Sequence, residues 1–342
     1  MPFVRWILGG LVTTQNAVIE ATNLTKHFQL SKGFMETLFS RRQSVVRAVD
    51  GITFEIREKE VFGLAGESGS GKTTTGRLVL RLLEPTSGKL IYKGQDLAKI
   101  KDKDLKPLRR KMQIVFQDPY ESLNPRMTVK DILAEPLTVQ RLDHSKDEMD
   151  GKIRKMLDSV EMTPPEEYLL RYPHELSGGQ RQRVAVARAF ILDPEFIVAD
   201  EPVSMLDVSI RAEILNLMLD LVDKFNVSFL YITHDIALAR HMCDRVAIMY
   251  LGKIAEMGPT EKIVYEPLHP YTNALIDAVP TPDPTAKRTK GVLQGEIPSP
   301  INPPSGCRFH TRCPVAMDKC RLEEPPIVNI EGEHYVACHR HK

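Results

Sequence analysis

The eight residues from Gly66 to Thr73, Gly-Glu-Ser-Gly-Ser-Gly-Lys-Thr, constrain this chain more than any other stretch. They match the phosphate-binding loop pattern, in which two glycines separated by four residues precede Lys and then Ser or Thr. Glycine allows positive φ angles, which let several backbone N–H groups approach phosphate oxygens. The Lys72 ammonium suits the β- and γ-phosphates, and the Thr73 hydroxyl is a ligand for Mg²⁺.

The residues on either side fit this interpretation. Val61 to Ala65 predicts a short buried strand, and Thr74 to Leu83 carries apolar residues at helical spacing. Phosphates would then lie at a helix N-terminus, where the dipole and free N–H groups favour anions. The alternative, a Gly/Ser turn that binds nothing, does not account for the strand and the helix. We predict nucleotide binding by Gly66, Ser68, Gly69, Ser70, Gly71, Lys72, Thr73 and Thr74.

Composition limits the class of protein. The 342 residues are 42% hydrophobic and 27% charged, which describes a soluble globular protein of one large domain or of a large and a small one. The net charge of +1 gives no nucleic-acid footprint. No stretch approaches the roughly 20 apolar residues that span a bilayer. Residues 1–17 are interpreted as an extension of unknown role, and a nucleotide site indicates the cytosol.

Alternating apolar and polar residues predict half-buried strands over Val18 to Leu30 and Val45 to Ile56. The polar, basic segment between them, Ser31 to Ser44, is predicted to be a surface loop. Phe28, in the first strand, is either a core residue or an aromatic platform for an adenine ring. The residues alone leave both open.

Polar residues follow three predicted buried strands. Asp200 and Glu201 follow Phe196 to Ala199, and two adjacent acids there are costly to bury without a function. Asp200 is predicted to hold Mg²⁺, and Glu201 to orient or deprotonate a water. Gln117 and His234 also end strands; His234 would ordinarily be a polar cap, but the shared edge favours a γ-phosphate contact.

The rest of the chain divides by composition. A helical pattern predicts a small helical subdomain at about 126–175, inserted into a mainly parallel α/β sheet. Leu176 to Gln180 precedes a helix, and its glycine pair is either an anion site or a plain turn. The body is predicted to end near Gly258. Ten of the 24 prolines lie between Pro259 and Pro304, which predicts a linker crossing the surface, with one short helix at 273–278.

In this order, these motifs resemble the ATP-binding cassette of ABC transporters. The resemblance covers residues 18–258 and implies an ABC-type P-loop ATPase core with an inserted helical subdomain and an antiparallel β region. Residues 259–342 would then be a Pro/Cys-rich C-terminal extension. The motifs are Gly66–Thr73 (Walker A), Gln117 (Q-loop), Leu176–Gln180 (signature), Phe196–Asp200 (Walker B), Glu201, Ser204–Asp207 (D-loop) and His234 (switch).

The resemblance also implies site residues. Glu201, His234 and Gln117 would be catalytic, Phe28 would stack on adenine, and Thr73, Gln117 and Asp200 would hold Mg²⁺. Two subunits would bind ATP head to tail, and the γ-phosphate held by one would contact the signature of the other. Residues contributed in this way would be Ser177, Gly178, Gly179, Gln180 and Asp207.

The residues between the motifs look like the dipeptide/oligopeptide importer subfamily, nearest to its second, "F"-type ATPase subunit. These are Phe116–Arg126, Asp200–Ser204 and Pro267–Thr272. The implied function is ATP hydrolysis that powers peptide import from the cytoplasmic face of the membrane. The implied partners are a distinct second ATPase subunit, two permease subunits, reached through Gln117–Arg126, and an extracytoplasmic solute-binding protein, with no nucleic acid. Oligosaccharide or nickel import, or a non-transport ABC ATPase, is the alternative.

Four of the five cysteines, Cys307, Cys313, Cys320 and Cys338, lie in the C-terminal tail. Disulfides are not expected in the cytosol, whereas a metal could supply folding energy. Their gaps are wider than zinc's usual Cys-x₂₋₄-Cys, although nearby histidines keep zinc as the alternative. Four irregularly spaced thiolates suit an iron–sulfur cluster, and the segment resembles peptide-importer ATPases, some of which carry [4Fe–4S]. A structural [4Fe–4S] cluster is therefore predicted.

Overall fold

The computed structural model describes residues 5–7, 10–12, 17–29, 45–142, 145–279 and 295–341. The chain divides into two compact units. Unit 1 comprises Met1–Ile56, Val61–Ala98 and Ile232–Lys342, and unit 2 comprises Arg57–Glu60 and Lys99–Tyr231. Among the residues described, no helix is long and apolar enough to cross a membrane.

Unit 1 contains an antiparallel sheet in the order β4-β3-β6-β7. The predicted strand is confirmed as β3 and is half-buried, but its alternation is not strict, because the buried residues include two adjacent pairs, Val18–Ile19 and Leu24–Thr25. The segment 31–44, predicted to be a surface loop, lies outside the described residues. A separate short pair, β1 with β2, lies in the N-terminal extension. The strands are β1 (Arg5–Ile7), β2 (Gly10–Val12), β3 (Ala17–Gln29), β4 (Val45–Arg57), β6 (Ser87–Tyr92) and β7 (Gln95–Asp96).

The other strands of unit 1 run in the order β13-β14-β12-β11-β5. β5 and β11 are parallel and buried along their whole length, as expected for apolar strands covered on both faces. The three pairings beyond β11 are antiparallel, so this edge of the sheet is antiparallel. The strands are β5 (Val61–Ala65), β11 (Arg245–Tyr250), β12 (Lys253–Pro259), β13 (Val328–Glu331) and β14 (His334–Val336).

Helices of unit 1 surround these strands. The short helix predicted at 273–278 is present as Pro270–Asp277, but the segment after Gly258 is not a surface linker there, because a further helix precedes it and Tyr271 and Thr272 are completely buried. Proline does not prevent this, because Pro270 occupies the first turn, where its missing N–H has no intrahelical partner. The described residues after Gly258 belong to unit 1. The helices are α1 (Lys72–Val79), α8 (Ile236–Met242), α9 (Thr260–Tyr265), α10 (Pro270–Asp277) and α11 (Asp318–Leu322).

Unit 2 contains the strands β10-β9-β8 in that order, with β8 and β9 parallel; the last two residues of β10 belong to unit 1. Helices α4 and α5 occupy the region predicted to be a helical subdomain, and each begins with a capping box, Thr128 with Asp131 and Ser145 with Glu148. The elements are α2 (Lys106–Lys111), β8 (Met112–Val115), α3 (Pro119–Ser122), α4 (Val129–Val139), α5 (Lys146–Ser159), α6 (Gly178–Phe190), β9 (Phe196–Asp200), α7 (Val208–Phe225) and β10 (Ser228–Thr233).

Candidate functional site

The phosphate loop of unit 1 connects β5 to α1, as the sequence predicts. Gly66, Gly69 and Gly71 all have positive φ, at 147°, 77° and 105°. The buried Lys72 side chain folds back over the loop, and its Nζ donates hydrogen bonds to the carbonyl oxygens of Gly66 (2.7 Å) and Glu67 (3.0 Å). The loop is therefore a curled backbone with its lysine at the centre.

Glycine is required at two of these positions. A Cβ on Gly66 would lie 2.2 Å from the Met249 carbonyl oxygen, and one on Gly71 would lie 2.2 Å from that of Ala48. The Ser70 hydroxyl is buried and has no hydrogen-bond partner among the described residues. A close-packed backbone, a lysine and a buried hydroxyl aimed into the loop fit a bound phosphate. Ser68 and Gly69 are exposed at the tip, and Thr73 and Thr74 are half-buried in the first turn of α1.

Phe28, near the end of β3, is half-buried, so part of its ring is accessible. Lys26 Nζ lies 5.2 Å from the centre of its ring. The neighbouring His27 contacts Asp50 through Nε2 and Oδ1 at 2.8 Å, and Asp50 also accepts a hydrogen bond from Arg308. Burial raises the pKa of Asp50, but the hydrogen bond with His27 and the positive charge of Arg308 outweigh it and hold this pKa below its ordinary value.

His234 follows the last residue of β10 directly and is exposed. The next residue, Asp235, caps α8 by accepting hydrogen bonds from the N–H groups of Ala237 (2.9 Å) and Leu238 (3.3 Å). Strand β10 before His234 and the capped start of α8 after it therefore hold the backbone of His234 in place.

In unit 2, polar groups follow the carboxyl ends of the parallel strands β8 and β9. The register pairs Val115 with Ala199, so Gln117 and the two acids begin at the same level of the sheet. Gln117 Nε2 lies 3.4 Å from Glu201 Oε2, which brings together two residues predicted to be catalytic. Asp200 is 5% exposed, and Glu201 has a φ of 46°, which is uncommon for a residue other than glycine.

The glycine pair of unit 2 begins helix α6. Ser177 is the N-cap: its Oγ accepts from the Gln180 N–H (3.3 Å), and Gln180 Oε1 accepts from the Ser177 N–H (3.0 Å). Ser177 is exposed and Gly178 half-exposed, whereas Gly179 is buried against Ile210. A capped helix start can bind an anion, so the geometry is compatible with an anion site, although only Gly178 of the two glycines is accessible.

Asp207 occupies the N-cap position of α7, and its side chain makes no capping hydrogen bond. It is exposed, together with Met205 (62%) and Val208 (80%). This short exposed segment is available for contact with another molecule.

Comparison with known proteins identifies the family. Residues 49–204 match the family model of the ABC transporter, and residues 255–320 match that of the oligopeptide/dipeptide transporter, C-terminal region. A putative peptide import ATP-binding protein of Brucella ovis is 45% identical over 327 residues, covering 96% of this chain and 99% of that protein. The chain belongs to the ABC transporter ATPases.

Other relatives agree with this assignment. The oligopeptide transport ATP-binding protein AppF of Bacillus subtilis is 45% identical, covering 95% of this chain and 98% of that protein. Among solved structures, the ATP-binding cassette MJ0796, a dimer bound to ADP and Pi, has a TM-score of 0.61 at 27% identity and covers 71% of this chain and 98% of that one. CbiO1 from Clostridium perfringens shares the fold, with a TM-score of 0.61 at 24% identity. The ABC ATPase fold and ATP hydrolysis coupled to transport are confirmed, and such a subunit works with membrane permease components.

One set of contacts in this ABC ATPase was not predicted. Glu67, the second residue of the phosphate loop, is bound by Tyr271 and Arg312, which lie more than 200 residues further along the chain. The segments around Tyr271 and Arg312 had been singled out only as family resemblances. No spacing rule connects them to residue 67, so the sequence alone could not have found this contact.

The iron–sulfur prediction is not supported. Among the described residues, which include all four tail cysteines, no group of three or more His, Cys, Asp or Glu side chains could hold a metal ion. The four cysteines are nevertheless neighbours: the Cys307 N–H donates to the Cys320 carbonyl oxygen at 2.8 Å. Burial, and then the negative charge of the other three thiols, raises the pKa of Cys307 to about 11. Packing contributes to holding the tail, since Phe309 and Tyr335 are 2% exposed.

Proposed function

We propose that this ABC ATPase powers the import of peptides through a separate membrane permease. The observation that carries the proposal is the second family match, at residues 255–320, to the oligopeptide/dipeptide transporter C-terminal region. The relatives named as peptide or oligopeptide transport proteins match over nearly their whole length, which supports the same cargo class.

Within this function, the phosphate loop binds the β- and γ-phosphates of ATP through Lys72 and its backbone N–H groups. Thr73, Asp200 and Gln117 are proposed as the residues that hold Mg²⁺, which neutralises charge on the phosphates. Glu201 orients or deprotonates the attacking water, and Gln117, 3.4 Å from its carboxylate, fixes its orientation. His234 contacts the γ-phosphate, and Phe28 stacks on adenine.

A second ATPase subunit completes the site. We propose that it is a related but distinct "D"-type chain, and that Ser177, Gly178, Gly179, Gln180 and Asp207 contact the nucleotide held by that partner. Support comes from the exposed start of α6 and the exposed segment before α7. Reconstitution of coupled transport by this chain and its permease alone, as a homodimer, would contradict the heterodimer.

The permease is proposed to dock on unit 2. Phe116 (38% exposed), Tyr120 (64%) and Val139 (57%) present apolar area around the predicted Gln117–Arg126 surface. The Arg188–Glu135 ion pair (2.9 Å) lies in the same surface and positions α6 against α4. Docking there would place this peripheral subunit at the cytoplasmic face of the membrane, with an extracytoplasmic solute-binding protein delivering cargo.

The test is to purify the intact transporter with its solute-binding protein and to measure which solute stimulates ATP hydrolysis. Dipeptides and oligopeptides should stimulate, whereas nickel and oligosaccharides should not. Stimulation by nickel or by an oligosaccharide alone would replace the cargo and leave the ATPase assignment in place.

The tail cysteines carry a separate hypothesis, that Cys307, Cys313, Cys320 and Cys338 hold a [4Fe–4S] cluster. Only their number and mutual proximity support it. Anaerobically purified protein should then be brown and contain iron, and Cys313→Ser should remove both. Colourless protein with one equivalent of zinc would replace iron by zinc, and metal-free protein would end the hypothesis.

A further inference from the structure

Every polar group of Glu67 is bound within unit 1. Its N–H donates to the Tyr271 hydroxyl at 2.9 Å, and its carbonyl oxygen accepts from Lys72 Nζ at 3.0 Å. Its carboxylate accepts two hydrogen bonds from Arg312, Nη1 to Oε2 at 2.7 Å and Nη2 to Oε1 at 3.1 Å. Glu67 is therefore fixed at three points, and two of them come from the C-terminal residues.

The Arg312 contact is of a strong type. Bidentate hydrogen bonds between a guanidinium and a carboxylate combine charge with a fixed geometry. The Arg312 side chain is only 6% exposed and that of Glu67 24% exposed, so water competes weakly for either group. The guanidinium also lies 5.9 Å from the centre of the Tyr250 ring. Because the Arg312 guanidinium donates hydrogen bonds to the Glu67 carboxylate, the pKa of Arg312 stays above its ordinary value.

The aromatic residues beneath make this contact rigid. Tyr250 packs edge-on against Tyr271 at 4.7 Å and against Phe309 at 5.3 Å between ring centres, and Tyr271 lies 5.3 Å from Phe309. Phe309 is three residues before Arg312, and the Arg312 N–H donates to its carbonyl oxygen at 3.0 Å. The buried cluster thus orients both groups that bind Glu67.

The tip of the phosphate loop has no such support. Ser68 and Gly69 are exposed, and a Cβ placed on Gly69 would meet nothing within 4 Å. The direction of the tip is consequently set at its base, by Gly66 and Glu67. The Glu67 carboxylate also places a negative charge in a loop that receives phosphates, and the paired Arg312 guanidinium neutralises that charge.

We propose that Arg312 is a positioning residue for nucleotide binding, acting through Glu67, and that Tyr271 assists it. The proposal rests on the proposed role of Gly66–Thr73 in binding ATP and adds the C-terminal region to that apparatus. Arg312 does not touch the nucleotide. Its loss releases the base of the loop and leaves the Glu67 carboxylate unpaired beside the phosphates, and both effects weaken ATP binding.

The experiment measures KM for Mg-ATP and kcat of the assembled transporter. Arg312→Met should raise KM about ten-fold, the effect expected for a charge-assisted bidentate contact, with kcat changed less than about two-fold. The KM of Arg312→Lys should lie between that of the wild type and that of Arg312→Met. Tyr271→Phe keeps the ring and removes only the hydroxyl, and should raise KM about three-fold. The matched control is Arg240→Gln, which breaks an exposed Arg–Glu pair (Arg240–Glu261, 3.3 Å) in the same unit and should leave KM unchanged.

A double variant separates positioning from a loss of fold. If the unpaired charge of Glu67 is what weakens ATP binding in Arg312→Met, the double variant Glu67→Gln with Arg312→Met should bind ATP more tightly than Arg312→Met alone. The proposal is overturned if Tyr271→Phe and Arg312→Met both keep KM within two-fold of the Arg240→Gln control, and Tyr271→Phe decides alone if Arg312→Met does not fold. A parallel Lys72→Ala variant tests the loop itself: unchanged ATP affinity there would reject the proposed function rather than the role of Arg312.

Discussion

The two glycine-containing motifs of this ABC ATPase are held in different ways. The start of α6 is held by its own neighbours, since the side chain of Ser177 and that of Gln180, three residues on, cap each other's backbone N–H. The phosphate loop depends on distant residues: Met249 packs behind Gly66, Gly252 donates to the Ser70 carbonyl oxygen, and Arg312 binds Glu67. The first motif is a local structure, and the second is a product of the whole of unit 1.

This difference predicts how each motif fails. A locally capped helix start should lose about the value of one cap when it is damaged. The phosphate loop packs against distant backbone. An added side-chain atom should therefore destabilise it, and so should substitutions far away in the sequence. The four predictions below use this contrast, from the largest expected effect to the smallest.

The largest effect is expected at Glu201, the proposed general base. Glu201→Gln should lower kcat by about 10²- to 10⁴-fold, because a general base is lost, while the affinity for ATP stays near that of the wild type. Steady-state hydrolysis and equilibrium nucleotide binding measure the two separately. Glu213→Gln, an exposed acid on α7, is the control and should change neither. Turnover within a few-fold of wild type would remove Glu201 from the mechanism.

The next largest difference between the two motifs is expected when one methyl group is added to each. Gly66→Ala should destabilise unit 1 by about 3 kcal/mol, because the Cβ meets backbone in a conformation that other residues rarely adopt. Gly178→Ala should stay within about 0.5 kcal/mol of wild type, since its Cβ meets only the end of the Leu206 side chain at 3.6 Å. Urea denaturation measures both, and equal losses would show that the motifs are held alike.

Acid should weaken the distant support of the phosphate loop. Burial lowers the pKa of His269 from 6.5 to about 4, although Glu256 opposes the shift. Since the folded-state pKa is depressed, protonation favours unfolding, and stability should fall by about 3 kcal/mol between pH 6.5 and pH 4. The buried His269 accepts the Tyr271 N–H at 3.0 Å and so caps α10.

The control for this prediction is His269→Asn, which keeps a side-chain cap and removes the titrating ring. Carboxylates also titrate in this range, so the difference between the stability curves of the two proteins is the quantity to compare. Identical slopes between pH 6.5 and pH 4 would show that His269 is not responsible.

The smallest effect is expected at the locally held motif. Ser177→Ala should cost about 1 kcal/mol, the usual value of an N-cap side chain. Asp207→Ala is the matched control, because Asp207 stands at the same position of α7 and its side chain caps nothing. Its stability should change by less than about 0.5 kcal/mol. A loss of several kcal/mol at Ser177 would mean that this motif, too, depends on distant contacts.

The same contrast explains what could be predicted from the sequence. The phosphate loop, the strand-end residues Gln117 and Asp200, and the capped start of α6 follow from residue types at short spacing. Local patterns also predicted the half-buried strand β3. These features depend on interactions within a few residues, which is the range that a sequence pattern reports.

The C-terminal region could not be predicted in this way. Proline content predicted a linker, yet Pro270 begins a buried helix, and β14 pairs with β12 by antiparallel register that no local pattern specifies. The cysteine spacing predicted a metal cluster, whereas the described residues show packing around Phe309 and no metal-holding group. The pairing of Glu67 with Arg312 spans 245 positions and depends on tertiary structure alone.

The division of the chain has a consequence for its synthesis. Unit 2 is almost continuous, from Lys99 to Tyr231, and all of it has left the ribosome before the C-terminal segment is made. Strand β5 pairs with β11, and Glu67 pairs with Arg312. The start of unit 1 therefore cannot complete these contacts until the later residues have been synthesised. A chain that ends before Arg312 therefore contains the whole sequence of unit 2 but lacks a contact that holds Glu67 in the phosphate loop. We expect such a shortened subunit to bind nucleotide more weakly than the whole one.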